Sequence, residues 1–481
     1  MARRFKMIVD YEKALDQTVT IREVLPPDHL ARFIVKVVLW LDLSAIYARY
    51  APVSGEAYAP EILLALLFYG YATGVFSSRQ IEKATYELIP FRFIAGGWHP
   101  DHDTIAHFRK TFLPEITDLF AQVLVVAHEL GLLKLGNISL DGSKVHADAS
   151  KSHAVSYSRL LQLERRLHVE VEELLALGEK TEQGNLPEGL DVEFEITLRQ
   201  ERLLNLEQAK AVLEARTEER YEAEKAEYEA KMREREEKAK KTGRKPRGKA
   251  PKPPTAGPRA KEQYNFTDPD SRIMKNSTDK GFDQHYNVQV AVDQNSRLIA
   301  GNTVSNHIND QGEAIPTVDA IPAEVGKPEA AALDNGYWSP TNVEELKARG
   351  IEPYIATGRD SHHLSWQERF AQEPEPPPQE ASMIVKMAYK LKADIGKRIY
   401  GLRKSTVEPV IGIIKETLGF RQFSLRGMLA VAGEWCLVCL AYNLQLEAVA
   451  CAAEYRFLSG GEQLRRECFR WLRPLTDRKA A

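Results

Sequence analysis

Cysteine is scarce in this chain. Among 481 residues there are four, Cys436, Cys439, Cys451 and Cys468, all near the end of the sequence. Too few and too clustered for a disulfide framework, they point to a reducing compartment, and cytoplasmic residence is the expectation. Cys436 and Cys439 make a C-x-x-C pair, yet they lie in the apolar run Trp435-Cys-Leu-Val-Cys-Leu-Ala-Tyr442, with no second Cys or His pair at zinc spacing. Such a pair reads as small core residues of a buried helix. Long apolar runs are missing too. The most membrane-like stretch, Ile62 to Ser78, is uncharged but short, and Gly70, Gly74 and Ser77 interrupt it. A bilayer span takes roughly 20 apolar residues, so a buried helix is expected here and no membrane partner. The opening Met-Ala-Arg-Arg-Phe-Lys has no apolar core, and no secretory signal is expected.

A charge excess is the last absence. The 65 Lys and Arg nearly balance 68 Asp and Glu, leaving −3, which speaks against a nucleic-acid partner, because phosphates require clustered Lys and Arg. The distribution reverses that inference. Leu161 to Ala230 carries a net −10 and Lys231 to Lys261 a net +10, so two adjoining blocks cancel in the total. Lys386 to Arg426 holds ten basic residues against Asp394, Glu408 and Glu416. The C-terminal half therefore has basic surface that the average hides, and the Lys231 to Lys261 block is expected to contact DNA phosphates.

At roughly 100 to 200 residues per domain, the length implies about three domains. Residues 1–135 read as an all-α region and a candidate DNA-binding domain, with apolar residues at three- and four-residue spacing over Leu30 to Leu43, Pro60 to Thr73, Ser78 to Glu87 and Thr104 to Gly131. Asn137-Ile-Ser-Leu-Asp141 reads as an apolar strand ending at a carboxylate. Residues 152–265 form a long helical insertion: Leu160, Leu163, Leu167, Val171 and Leu174 keep a coiled-coil rhythm, and a second charged helix runs from about Glu193 to Lys241. The Gly-Pro-Lys-rich stretch Thr242 to Arg259 is expected to lack order when free. His285 to Asp293 and Leu298 to Val304 alternate as a hairpin around Asn295-Ser296-Arg297; helices and strands then interleave to about residue 357. Residues 359–385 read as a loop, and two helices follow, from about Ser405 to Leu418 and Met428 to Val449. The pattern predicts a mixed α/β domain over 136–151 and 266–450, with 451–481 a basic tail.

Two strands end in carboxylates, Leu140-Asp141-Gly142 and Leu333-Asp334-Asn335-Gly336. Aspartates at neighbouring strand ends can share divalent cations; equally, Asp-Gly and Asp-Asn-Gly are common turn formers. Glu408 is a lone acid in the basic segment Tyr400-Gly-Leu-Arg403-Lys404-Ser-Thr-Val-Glu408-Pro-Val-Ile-Gly-Ile-Ile-Lys415. It suits a metal ligand beside a polyanion, or the end of a Ser405-x-x-Glu408 capping box. His146, Asp148 and His153 read as a polar loop, Asp101-His102-Asp103 as a turn and helix cap, and Trp338 as either a packed aromatic or a platform for an unpaired base.

Together these segments resemble the DDE transposases of bacterial insertion sequences, in the group whose catalytic glutamate sits in a Y-(2)-R-(3)-E-(6)-K signature. Ser77-Ser-Arg-Gln-Ile-Glu82 and His99 to Lys110 are similar to that group's N-terminal helical domain, and Asp141-Gly-Ser-Lys, Tyr286 to Asp293, Leu333 to Tyr337 and Arg403 to Lys415 to its catalytic segments. One spacing departs: Arg403 and Glu408 are separated by four residues, and Lys404 restores three at the expense of the distance from Tyr400. The resemblance implies an RNase H-like mixed-sheet core. It implies Asp141, Asp334 and Glu408 as catalytic ligands of two Mg²⁺ ions, with Mn²⁺ able to substitute. It implies Tyr400, Arg403, Lys404 and Lys415 as DNA contacts, with cleavage at terminal inverted repeats and joining of 3′ ends to target DNA. Two synapsed ends imply a homodimer on the nucleoid. Alternatives are a metal-dependent nuclease of the same fold, or a non-catalytic DNA-binding protein.

Overall fold

The computed structural model describes residues 20–50, 57–180, 189–242, 250–276, 281–358 and 375–458. Residues 459–481 of the expected basic tail, with Cys468, lie outside the described residues. So do 359–374 of the expected loop and 243–249 of the Gly-Pro-Lys-rich stretch.

The chain opens with helices α1 (Leu30–Trp40), α2 (Pro60–Ala72), α3 (Ser78–Glu87), α4 (Ile89–Ile94), α5 (His102–Thr111) and α6 (Leu113–Glu129). Pro60 fills the first turn of α2, where its missing N–H costs nothing. The helix expected over Thr104 to Gly131 is two: the chain turns at Phe112, and Pro114 starts the second. Asp101 caps α5 as expected, accepting from the Thr104 N–H at 2.7 Å.

Strand β1 (Asn137–His146) follows. It does not end at Asp141, as the sequence pattern predicted, but runs five residues further, so Asp141-Gly142 is strand and not turn. Next come β2 (Ala154–Ser156), the helical hairpin α7 (Tyr157–Lys180) and α8 (Val192–Thr242), β3 (Gln263–Asn265), β4 (Arg272–Lys275) and β5 (Phe282–Asp293). Then β6 (Ile299–Ser305), α9 (Ala314–Asp319), β7 (Ala330–Leu333), α10 (Pro340–Ala348), β8 (Glu352–Ile355), α11 (Met383–Lys392), α12 (Asp394–Gly401), α13 (Arg403–Gly412) and α14 (Met428–Leu458) complete the chain.

Two compact units result, Met1–Ala147 with Tyr286–Ala481, and Asp148–His285. In the first, the strands lie in the order β6, β5, β1, β7, β8. The β1–β7 and β7–β8 pairs are parallel, and β5–β6 is antiparallel. The Gln294 N–H donates to Asn137 O at 2.9 Å, so the end of β5 lies beside the start of β1. The hairpin turn is where the sequence put it: Asp293 Oδ2 accepts from the Asn295 and Ser296 N–H groups, and Arg297 takes a left-handed φ of 63°. Ile138, Leu140, Ala331, Leu333, Val343, Leu346 and Ile355 form the core on one side of this sheet, with Trp338 packed against it.

The N-terminal helices share that unit because α14 packs on both partners. Its Met428–Ala452 segment, rather than the shorter Ile62 to Ser78, is long and apolar enough to span a bilayer by length and composition, but it is mostly buried inside the protein. Asn443 bonds both the N–H and C=O of Ile299, and Trp435 Nε1 donates to Gln289 O at 3.3 Å. Toward the other side, Glu434 accepts from Tyr71 Oη at 3.0 Å, and Tyr71 accepts from Arg109 at 2.8 Å. Cys436 and Cys439 are unpaired and buried, as the apolar context predicted.

The second unit is built on α7 and α8, whose apolar seam joins Leu160 and Leu167 to Leu203, Leu206, Ala209 and Leu213. Its outer faces are laced by Arg199 with Glu170 and Glu195, and by Lys210 with Glu164. The described part of the stretch expected to lack order is tied to α8: Arg259 donates to Glu224 at 3.0 Å, and Arg220 donates to Gly257 O at 3.5 Å. Opposite charges of the two sequence blocks meet there.

Candidate functional site

Three elements bring the three acids to one guanidinium. Asp141 stands on β1 just past the residues that pair with β7, so no strand covers it on that side. Asp334 follows the last residue of β7 and caps a tight turn, its Oδ1 accepting from the Gly336 N–H at 2.7 Å. Glu408 lies inside α13. The capping box Ser405-x-x-Glu408 does not form: the helix already starts at Arg403, and Ser405 Oγ donates to Leu402 O at 3.0 Å. Thr406 fixes this helix on the sheet by donating to Ser139 Oγ at 2.9 Å, two residues from both Glu408 and Asp141.

Arg403 is the hub. Its guanidinium lies 3.1 Å from Asp141 Oδ2, 3.3 Å from Glu408 Oε1 and 3.8 Å from Asp334 Oδ2. Its side chain is 9% exposed, against 39% and 48% for Asp334 and Glu408, so the pocket has a buried floor and an open carboxylate rim. One positive charge faces three negative ones. Burial pushes the Asp141 carboxyl up to about 6; Arg403 pulls it down, while Asp334 and Glu408 add to the rise. Burial lowers the Arg403 value, and the facing acids outweigh that and leave it above the ordinary one.

Of the other expected site residues, Lys415 lies on a π-helical turn, Ile413–Thr417, after the proline-containing α13. Its ammonium donates to Ser143 Oγ at 2.6 Å and Lys144 O at 2.8 Å, on β1 beyond Asp141, and burial lowers its pKa. Tyr400, on α12, packs against Ala330, Ala332, Tyr354 and Ile399. Lys404 is exposed and enters none of the ion pairs found among the described residues, whereas Arg403 lies among the three acids.

Four more residues adjoin the aspartates. Asp310, from the loop after β6, accepts from Asn287 Nδ2 at 2.7 Å and Gln289 Nε2 at 2.9 Å. Tyr337, three residues after Asp334, donates its hydroxyl to Gln289 Oε1. Asn287 and Gln289 occupy alternate positions of β5, a pattern that ordinarily marks a solvated face. Here they are 1% exposed, and polar residues on a strand covered on both faces were the available signal.

The donors of the site are all hard oxygens, the type suited to Mg²⁺ or Mn²⁺. Among the described residues no three His, Cys, Asp or Glu side chains already gather as a metal cluster. The acids are arranged around Arg403, and their excess negative charge fits a cation entering from the open rim.

Residues 19–111 match a family described as "Transposase domain (DUF772)", and residues 252–444 match "Transposase DDE domain". A protein of Burkholderia cepacia described as "Putative transposase for insertion sequence element IS402" is 32% identical over 80 residues, 15% of this chain and 38% of that protein. The chain thus spans well under half the length of that relative. No solved structure matches.

Proposed function

We propose that this chain, a DDE transposase of an insertion sequence by the two domains it carries, cleaves DNA at its element's terminal inverted repeats and transfers the 3′ ends to target DNA. The observation that supports this reading best is the convergence of Asp141, Asp334 and Glu408 on the half-open pocket around Arg403. The strand order, with three strands antiparallel in sequence followed by two parallel ones, is that expected of an RNase H-like core.

In this reading Asp141, Asp334 and Glu408 would hold two Mg²⁺ ions, which would supply Lewis-acid charge to the attacking and leaving oxygens of the phosphodiester. The chain's own groups do the rest. Asp141 and Asp334, on a rigid sheet, set the position at which the phosphodiester must lie. Arg403 balances part of the carboxylate charge before DNA arrives and can then turn to a phosphate oxygen, for which its planar fork is suited. Lys415, tied to β1, and Tyr400 flank the same path. Double-stranded DNA is the partner, with two copies acting on two ends, in the cytoplasm at the nucleoid.

The test is cleavage by the full chain of a duplex carrying the DNA found immediately outside its reading frame. Mg²⁺-dependent nicking at an inverted repeat, followed by joining of the exposed 3′ end to a second duplex, is the expected result. Nicking without joining would indicate a nuclease. Binding without either would leave a DNA-binding protein.

A further inference from the structure

We infer that Asp310 is a positioning residue for the proposed cation site, a role that rests on the reading above: with Asn287, Gln289 and Tyr337 it locks the Asp334 turn against β1. The observation is steric as much as electrostatic. A Cβ on Gly142, the residue after Asp141, would lie 2.9 Å from Asp310 Oδ1 and would also strike the Gln289 amide. A Cβ on Gly336, two residues after Asp334, would lie 3.5 Å from Asp310 Oδ2 and 2.9 Å from Asp334 Oδ1. Neither glycine has a positive φ, so neither is required by the backbone; Gly142 clears space for the Asp310 carboxylate and the Gln289 amide, and Gly336 for the Asp334 carboxylate, beside which Asp310 lies in ordinary contact.

That carboxylate also fixes the polarity of a buried chain of hydrogen bonds. An ionised carboxylate only accepts, so the nitrogens of Asn287 and Gln289 must both face Asp310. Gln289 Oε1 is thereby turned to Tyr337, whose hydroxyl must donate. Tyr337 is fully buried and follows Asp334 in the turn, while Asn287 and Gln289 belong to β5, the neighbour of β1 in the sheet. The result is a brace from β5 to the turn that carries Asp334, passing beside Gly142. Without it, the turn beyond the β1–β7 pairing, which carries Asp334, loses its tie to β5, and groups that orient metal-binding side chains are worth about 10- to 100-fold in metal affinity.

The experiment is Mn²⁺ binding to the full chain, followed by electron paramagnetic resonance, with circular dichroism and thermal melting on each variant. Asp310→Ala, folded by circular dichroism, is expected to bind Mn²⁺ about 10-fold more weakly than the parent. Asp310→Asn keeps an acceptor oxygen for both amides and should recover most of that loss. Tyr337→Phe, nearly isosteric, tests the far end of the brace and should weaken binding several-fold. A purely structural role would lower the melting temperature while leaving Mn²⁺ affinity unchanged, and that result for Asp310→Ala and Tyr337→Phe would overturn the proposal. An Asn variant as weak as Ala would also overturn it, since charge rather than positioning would then matter. Asp141→Asn separates the two levels. If it binds Mn²⁺ like the parent, or the parent does not bind, the reading of the site fails; if it loses binding while Asp310→Ala keeps it, only the brace is wrong.

Discussion

Acids and bases meet in two places in this protein, and they are matched differently. Along the α7–α8 hairpin, acids that form ion pairs do so with their own bases near water: Glu170 takes Arg166 and Arg199, and Glu164 takes Lys210. At the sheet, one largely buried guanidinium serves Asp141, Asp334 and Glu408. Matched pairs near water add little to stability and cost little. Unmatched carboxylates in a half-buried pocket cost stability, and the lift of Asp141 to about 6 registers that cost. The comparison teaches where to look for chemistry: at acids gathered around one buried counter-charge, since the hairpin has the larger acidic excess but spreads it over solvated faces.

The largest expected effect follows from the imbalance itself. Asp141→Asn, Asp334→Asn and Glu408→Gln should each reduce Mg²⁺-dependent cleavage by at least about 10³-fold, because ligands that act as a unit fail together. DNA affinity, read by gel shift, should change little. Wild-type-like cutting by any one of them would remove that residue from the site.

Arg403→Met comes next. It leaves three acids without their shared counter-charge, and breaking a buried pair from one side costs roughly 3–5 kcal/mol. Chemical denaturation should show a loss of that order. Added Mg²⁺ should restore more stability to the variant than to the parent, because a ligand stabilises the state that binds it. Equal Mg²⁺ effects in both proteins would show that Arg403 and the cation do not share the same carboxylates.

Much of this was legible beforehand. Asp141, Asp334, Glu408 and Arg403 follow from motif residues, and helices α2, α3, α7 and α8 from their apolar spacing. What escaped has physical reasons. Asp141-Gly142 looks like a turn because a strand glycine ordinarily is one; only the neighbouring Gln289 and Asp310 explain it as a clearance. Asp310 belongs to no pattern, since its partners Asn287 and Gln289 are more than 20 residues away. Strands β2, β3 and β4 are three or four residues long, too short for alternation to register. The sharing of one unit by the N-terminal helices and the sheet depends on Glu434 meeting Tyr71 and Arg109, from which the sequence separates it by hundreds of positions.

Glu447 supplies the control for an unmatched acid with no catalytic setting. It is 1% exposed on α14, and neither carboxylate oxygen has a hydrogen-bond partner among the described residues. Burial raises its pKa well above the ordinary carboxylate value. An acid whose folded pKa exceeds its unfolded one takes up a proton on folding, so its contribution is most favourable below the unfolded pKa and declines as pH rises toward the folded one. Glu447→Leu should therefore stabilise the protein by about 1–3 kcal/mol, the desolvation cost of an unsatisfied polar group, and by more at pH 8 than at pH 5. Cleavage should be unaffected. A destabilised variant would mean that Glu447 has a partner and is no control.

The smallest effect belongs to the hairpin. Lys210→Met removes the partner of Glu164, but both side chains keep contact with water, at 31% and 17% exposure. Solvent then supplies most of what the ammonium did, and the Met side chain can still cover the apolar stem's place on the seam. Denaturation should move by no more than about 1 kcal/mol, and the shift should shrink further in high salt. If it instead matched the loss in Arg403→Met, then counter-charge stoichiometry would not separate the two regions. The excess of acid at the sheet would have to be explained by packing alone.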